Sequence, residues 1–247
     1  MKRWFRADLH VHTLLSPCAA VEMTPRNIIR HAQSAGIDIV AITDHNAGDN
    51  VAAAIRAAAG STVVVLPGME VQTREEVHLL TLFDKMRDFI KWCDFIALHR
   101  SPLQNDEKKF GAQFVVDEED ELVRTEEAML LASTDLGFDE AVEQARAMGG
   151  LTIAAHVDRP AFSVLSQLGF IPAGASPDAV EVSRNMQWAE AQKRLPVIGA
   201  LPVVVSSDAH TIDDFLAGPK TMFLMESPTL SEIRQALVGK EGRRIHR

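Results

Sequence analysis

Residues 7–17 read ADLHVHTLLSP and place two histidines, His10 and His12, two positions apart at the end of a strand-like run. Alternate side chains of a β-strand point to the same face, so we expect the two imidazoles to point together. Two co-directed imidazoles at a strand end predict one chelating arm of a metal site. Alone the pattern is weak, because surface strands also carry histidine, and its meaning depends on the rest of the chain.

Along the whole chain, short runs rich in β-branched residues alternate with segments of helical period. Strands are predicted near 6–12, 38–44, 62–71, 77–83, 151–156, 179–183, 202–207 and 221–226. Helices are predicted over Thr24–Ala35, Ala47–Ala59, Lys85–Leu98, Phe138–Met148, Met186–Leu195 and Leu230–Val238. Most of the strands are almost continuously apolar, which is typical of parallel strands covered on both faces. The alternation predicts an α/β barrel or a doubly wound sheet.

Residues 84–136 interrupt this alternation. After a helix they contain a polar stretch and two strand-like runs around the acidic residues 117–120, for which we expect a solvated hairpin turn rather than a metal site. The sequence has no internal repeat, low-complexity tract or Pro/Gly-rich linker. We therefore expect one domain over residues 1–247 with an inserted lobe near 84–136.

Composition narrows the class of protein. The 247 residues include 25 Lys and Arg against 34 Asp and Glu, a net charge of -9, which disfavours stable binding of duplex nucleic acid through its phosphates. Two cysteines, Cys18 and Cys93, imply no disulfide framework. No signal peptide is evident, and no uncharged apolar run approaches the ~18 residues of a membrane helix. We expect a soluble, cytoplasmic protein, and the sequence predicts no oligomeric state.

Further potential ligands follow the predicted strands, as His10 and His12 do. They are Asp44 and His45 in ITDHN, Glu70 in PGMEV, His78 in EEVHLL, His156 in IAAHVDR, and Asp208 and His210 in SSDAH. In a barrel of parallel strands, the C-terminal strand ends converge on one mouth. The set predicts a site for two or three divalent ions. The candidate metals are Zn, Mn, Fe and Mg, which suit imidazole or carboxylate ligands. His31, His99 and His246 follow no strand and are not expected to be ligands.

The ordered motifs DLHVHT, ITDHN, GMEV, AAHVDRP and SSDAH resemble those of the PHP (polymerase and histidinol phosphatase) domain family. The resemblance covers nearly the whole chain. It implies a distorted (β/α)7 barrel, a trinuclear metal site at its C-terminal mouth, and a stand-alone metal-dependent phosphoesterase.

The resemblance also implies how the ligands are shared. One ion would be held by His10, His12, Glu70 and Asp208. Glu70 would bridge to a second ion, which His78 and His156 would hold. A third ion would be bound by His45 and His210. Members commonly supply one more ligand five or six residues after the second histidine, where this chain has Pro17 and Cys18. Cys18 is therefore either a thiolate ligand or a small packed residue. Asp44 is expected to orient a ligating imidazole.

The expected reaction is hydrolysis of a small phosphorylated metabolite or short nucleotide by a metal-bound hydroxide. Arg159 and Arg184 are the candidates for binding the phosphate, with Arg100 a third, because the guanidinium fork pairs with phosphate oxygens. The lobe near 84–136 would cap the mouth. The alternatives are a nuclease, an amidohydrolase-type enzyme, and a barrel without catalysis. Amidohydrolases typically use a metal-bridging lysine, and no lysine ends a predicted strand.

Overall fold

The computed structural model describes residues 1–186 and 188–246. Its strands are β1 Arg3–Val11, β2 Ile39–Ile42, β3 Val64–Gln72, β4 His78–Leu82, β5 Phe114–Val116, β6 Leu122–Thr125, β7 Leu151–Ala154, β8 Ala179–Val182, β9 Val203–Val205, β10 Thr221–Met225 and β11 Arg244–Ile245. Its α-helices are α1 Pro25–Ser34, α2 Val51–Ala57, α3 Met86–His99, α4 Glu107–Phe110, α5 Phe138–Ala147, α6 Val164–Leu168, α7 Trp188–Arg194, α8 Ile212–Ala217 and α9 Leu230–Leu237. One residue of the predicted helix Met186–Leu195, Gln187, lies outside the described residues.

The main sheet curls into a nearly closed barrel. Its strand order is β11-β10-β1-β2-β3-β4-β7-β8-β9. The seven strands from β1 to β9 in this order form the wall, and a bridge between Val11 and Ala209 brings the end of β1 back beside the segment after β9. Lower down, the Thr221 hydroxyl accepts from the Val205 N–H at 2.9 Å and so links β10 to β9. The prediction of a distorted seven-stranded α/β barrel is confirmed, with β10 and β11 added beside β1.

The expectation of parallel strands is wrong for β4 and β10. Strand β4 runs antiparallel to both β3 and β7, and β10 runs antiparallel to β1. A strand buried on both faces shows the same apolar pattern in either direction, so the sequence did not reveal this. The short connection between β3 and β4 suits an antiparallel pair rather than a crossover. As a result, the start of β4 lies at the same end of the barrel as the ends of the parallel strands.

Alternate residues of the strands face two apolar layers. Ile39 and Ala41 belong to a cluster that also takes residues from β1, β3, β4, β7, β8 and β9, as the inside of a barrel requires. Val40 and Ile42 belong to an outer cluster with α1, α2 and α3. Helix α1 begins as predicted, because the Thr24 hydroxyl accepts from the Asn27 N–H at 3.3 Å and proline occupies the first helical position.

The segment between α3 and α5 packs over the mouth end of the barrel. Asn50, before α2, joins it to the first motif: its amide donates to the Phe114 carbonyl at 3.0 Å and to the Thr13 hydroxyl at 2.9 Å. The predicted hairpin is present as β5 and β6. Its turn is not simply solvated, because Glu118 and Glu119 pair with Arg56 and Arg26, and Asp120 accepts from the Thr24 hydroxyl at 2.6 Å.

In the part of the chain that the structure describes, no helix combines the length and apolar character needed to cross a membrane.

Candidate metal centre

The predicted ligands converge at one mouth of the barrel. His10 and His12 stand at the end of β1, Glu70 lies near the end of β3, and the remaining members follow β2, β7 and β9. His78 differs, since it begins β4, and the antiparallel direction of that strand brings it to the same mouth. All of these residues are buried except His210, which is partly exposed. The convergence predicted from strand ends is therefore present.

Glu70 lies at the centre of the cluster. Strand pairing continues past the end of β2, with the Glu70 N–H donating to the Asp44 carbonyl at 3.1 Å, which fixes the position of Glu70 beside His45. Five imidazoles approach its carboxylate: His78 Nδ1 at 2.8 Å, His45 Nδ1 at 3.1 Å, His10 Nε2 at 3.2 Å, and His12 Nε2 and His156 Nε2 at 3.3 Å. One buried carboxylate thus faces five ring nitrogens.

Three groups within the cluster have the spacing of metal ligands, with one donor atom of each member within 4.8 Å of the others. They are His10, His12 and Asp208; His12, His45 and His210; and His45, Glu70 and His78. His156 belongs to none of these groups and joins the cluster through Glu70. Cys18 is also absent from them.

The two histidines of the opening motif are held by different partners. His10 Nδ1 lies 3.0 Å from a carboxylate oxygen of Glu181 on β8. His12 Nδ1 lies 3.0 Å from the Ser16 hydroxyl, which donates to Asp44 at 2.7 Å. In both cases Nδ1–H is the natural donor, so Nε2 is the atom directed into the cluster, where it can carry a proton or offer a lone pair to a metal ion.

Asp44 does not touch an imidazole. It accepts from the N–H and hydroxyl of Thr13 and from the hydroxyl of Ser16, each at 2.7 Å. Its carboxylate is fully buried, and desolvation raises its pKa despite the nearby charge of His12 and these hydrogen bonds. Ser16 therefore links Asp44 to His12 by hydrogen bonds, in addition to the direct electrostatic effect between the two groups.

Sequence reasoning missed Glu181 and Phe162. Glu181 is 1% exposed, and besides His10 it accepts from the backbone N–H of His156 at 3.2 Å. The available signal was an acidic residue inside the apolar strand AVEV, which must find a partner when the strand is buried. Phe162 stacks on His78 with ring centroids 4.9 Å apart. Nothing in the sequence pattern marked Phe162.

The cluster combines imidazoles that favour protonation with carboxylates that favour ionisation. Burial opposes a charge on His10, but the carboxylates of Asp208, Glu181 and Glu70 raise its pKa well above the ordinary value. Burial likewise opposes a charge on His12, while hydrogen bonds to Asp208 and Glu70 raise its pKa to about 9. Against the opposing effect of burial, the surrounding histidines hold the pKa of Glu70 and Asp208 well below the usual carboxyl range.

Three further histidines, His45, His78 and His210, favour the neutral form. Desolvation lowers the pKa of His45 well below its ordinary value and also lowers that of His78. For His210, burial and the charge of His12 lower the pKa to about 4. Its ring stacks on that of His12 at 4.3 Å, and its Nδ1–H donates to the Asp208 carbonyl at 2.9 Å.

Of the predicted arginines, Arg159 is the one in contact with the cluster. Its guanidinium lies 2.5 Å from Asp208. Arg184 pairs instead with Asp214 on α8 at 2.5 Å and is exposed. Arg100 donates to the carbonyl of Asn46, next to His45, at 2.8 Å.

Cys18 is exposed as a residue, yet its surroundings disfavour a thiolate. Desolvation of the sulfur, reinforced by the charges of Glu70 and Asp44, raises the pKa of this thiol to about 12. Coordination to an ion would have to overcome that cost, so its role as a ligand stays a prediction. His99 bonds to Asp135 at 2.6 Å and is in none of the three groups.

Several solved structures share this fold. A lesion-specific endonuclease, endonuclease Q from Pyrococcus furiosus, matches with a TM-score of 0.76 and 19% identity over 98% of this chain and 58% of its own. A complex of endonuclease Q with a 27-mer duplex bearing an abasic lesion matches with a TM-score of 0.75 and 18% identity, over 98% of this chain and 58% of its own. A proposed metal-dependent phosphoesterase from Bifidobacterium adolescentis matches with a TM-score of 0.59 and 20% identity, over 95% of this chain and 96% of its own.

At these identities the similarities establish the fold alone, and this chain spans 58% of the length of the endonuclease chains. No curated protein matches the sequence. The model of the PHP domain family, by contrast, matches residues 8–193, which contain every residue of the cluster except Asp208 and His210. The chain therefore belongs to the PHP domain family, whose members are metal-dependent enzymes acting on phosphoester bonds.

Proposed function

We propose that the cluster binds two or three divalent metal ions and that the protein hydrolyses the phosphate ester of a small metabolite or short nucleotide. One observation carries the proposal. His10 Nε2, His12 Nε2 and Asp208 Oδ1 form a triangle with sides of 3.2, 3.3 and 3.3 Å. Because Nδ1 of both histidines is directed at partners outside the cluster, the two Nε2 atoms and the carboxylate oxygen converge on one point, and a cation that displaces the Nε2 protons would meet three lone pairs there.

The rest of the cluster fits the same ions. Buried polar atoms without a hydrogen-bond partner include Glu70 Oε2, His45 Nδ1 and His78 Nδ1. The two ring nitrogens nevertheless lie 3.1 and 2.8 Å from oxygens of the Glu70 carboxylate. Each such atom left unsatisfied costs about 1–3 kcal/mol. Close approach without hydrogen-bond geometry is typical of ligand atoms directed at a shared ion.

The three compact groups are the proposed ligand sets, with His156 adding to the set around Glu70. Divalent ions bound there would lower the pKa of water and neutralise charge on the phosphate. Around them, Glu181 and Ser16 keep His10 and His12 in the tautomer that offers Nε2, and Asp44 holds Ser16. Arg159, anchored by Asp208, presents its remaining N–H groups to a phosphate. Arg184 is the weaker candidate, since Asp214 already neutralises it.

The segment 84–136 is proposed to act as a cap. It is linked to the mouth through Asn50 and through Asn46, whose amide donates to the carbonyls of Leu130 and Ala132 at 2.9 Å. A cap of this kind would limit the size of the substrate. It would act within one domain formed by residues 1–247.

The test is a screen with added Mn²⁺ or Zn²⁺ against an aryl phosphate, phosphorylated metabolites, oligonucleotides and amides, with metal quantified in the same sample. We expect phosphoester hydrolysis that Glu70→Gln abolishes and that Glu143→Gln, an exposed control on α5, retains. Amide hydrolysis alone would favour an amidohydrolase. Less than about one ion per chain, with no hydrolysis after metal addition, would indicate a barrel without catalysis.

A nuclease is the second candidate. The duplex in the endonuclease Q complex carries an abasic lesion, and that fold covers 98% of this chain. The net charge of -9 argues against strong binding of long duplexes. An oligonucleotide duplex with one abasic site belongs in the screen, and cleavage at the lesion in preference to all small esters would replace the first candidate with this one.

A further inference from the structure

The loop after β7 places an unusual phenylalanine at the mouth. The Phe162 carbonyl accepts from the His78 N–H at 2.9 Å, and its ring stacks on the His78 ring with 21° between the planes. Its φ of 56° lies in the left-handed region, which a bulky residue rarely adopts. Such strain persists where the surroundings over-determine the conformation, and it clusters at functional sites.

Phe162 is also much more exposed than the phenylalanines of the core. The residue is 41% exposed, whereas Phe83, Phe89 and Phe138 are at most 1% exposed. One face of the ring covers His78, and the exposed area of the residue remains accessible to a ligand. A fixed aromatic ring with one free face can stack a planar group.

The same loop holds Arg159 in place. The Ser163 hydroxyl donates to the Arg159 carbonyl at 2.9 Å, and the Arg159 N–H donates to the His156 carbonyl at 2.9 Å. Both the cation beside Asp208 and the aromatic ring beside His78 are thus presented by one short, hydrogen-bonded segment. A phosphate at Arg159 and a planar ring at Phe162 would belong to a single substrate.

We infer that Phe162 is a stacking platform for the base of a nucleotide whose phosphate ester is bound at the metal cluster and Arg159. This rests on the proposed function and narrows it from phosphorylated metabolites in general to those with a planar ring. The competing role for Phe162 is packing alone, in which its ring only covers His78.

The experiment compares adenosine 5′-monophosphate with ribose 5-phosphate, the same ester without the base. For the metal-loaded wild-type protein we expect a KM about tenfold lower for the nucleotide. Phe162→Leu, which keeps an apolar cover over His78, should bring the ratio of the two KM values close to one. Phe162→Trp should keep or increase the preference for the nucleotide over ribose 5-phosphate. The matched control is Phe170→Leu, an exposed ring after α6 beside Phe138 and Leu168, which should leave the ratio unchanged.

The outcomes separate the two proposals. Equal KM values for both substrates in the wild type would overturn the stacking role and leave phosphoester hydrolysis standing. So would a Phe162→Leu variant that lowers kcat for both substrates alike and loses bound metal, since packing against His78 explains that result. Turnover of neither these nor any other phosphoester would instead remove the proposed function itself.

Discussion

His10 and His12 are neighbours in sequence and in space, yet the structure supports them in opposite ways. His10 is bonded directly to the buried carboxylate of Glu181, which comes from β8 on another part of the barrel wall. His12 is bonded to the neutral hydroxyl of Ser16, four residues along the chain, and its hydrogen-bonded link to Asp44 runs through that hydroxyl. One imidazole therefore depends on the closure of the barrel, and the other on the local loop.

The difference teaches that the two arms of one chelate can be tuned separately. A direct carboxylate partner makes an imidazole a stronger donor to a metal ion than a hydroxyl partner does. We therefore expect changes around His10 to affect metal binding more than changes around His12. Four measurements test this order.

The largest effect should come from pH. The raised pKa values of His10 and His12 mean that both carry protons at neutral pH in the metal-free protein, and binding must displace them. The apparent affinity for Mn²⁺ should therefore fall by about 100-fold for each unit that the pH is lowered from 7.5. Calorimetry in buffers of different ionisation enthalpy should show about two protons released per chain. Release of less than one proton would contradict the preference of His10 and His12 for the protonated form.

Removing Glu181 should have the next largest effect. Glu181→Ala leaves His10 Nδ1 and the His156 N–H without an acceptor, and metal affinity should fall by about 100-fold. Glu181→Gln keeps an acceptor and should lose about tenfold. Chelator competition measures both, with circular dichroism to check folding and Glu143→Gln as the control. Unchanged affinity in the alanine variant would show that the contact only fills space.

Asp44→Asn should weaken metal binding less and affect the loop more. Its three donors from Thr13 and Ser16 would meet an amide that can accept at only one of its two positions. Stability in urea should fall by about 2 kcal/mol, and metal affinity by about tenfold. A larger loss of affinity than in Glu181→Ala would reverse the proposed order of the two arms.

Ser16→Ala should give the smallest change. It removes the link between Asp44 and His12 while leaving both in place, so metal affinity should fall by about threefold. Ser34→Ala, which removes an exposed hydroxyl on α1, is the matched control. Combining Ser16→Ala with Glu181→Gln should give additive losses if the two supports are independent, and isothermal titration of the double variant would show it.

The sequence predicted the position of the site better than its geometry. Most of the candidate ligands were recognisable because a polar group directly after an apolar strand stands out, and strand ends converge in a barrel. The direction of β4 was not recognisable, since a strand buried on both faces has no directional pattern. His78 was expected to follow an apolar strand like the other candidates, whereas it begins β4 and reaches the same mouth because that strand is antiparallel.

Supporting contacts were harder to predict because they join distant segments. Glu181 meets His10 across 171 positions of sequence, and Asp44, expected to orient an imidazole, is hydrogen-bonded to His12 through Ser16. The same limit applies to Arg184, whose partner Asp214 lies on a later helix. Spacing along a chain indicates which residues share a strand face, but contacts between strands depend on the register with which the sheet closes.

The end of the barrel opposite the mouth also has a practical consequence. There the rings of Trp4 and His246 are 5.6 Å apart, on either side of β10. Immobilising the protein at this end of the barrel would leave the mouth facing solution, which suits surface-based measurement of ligand binding.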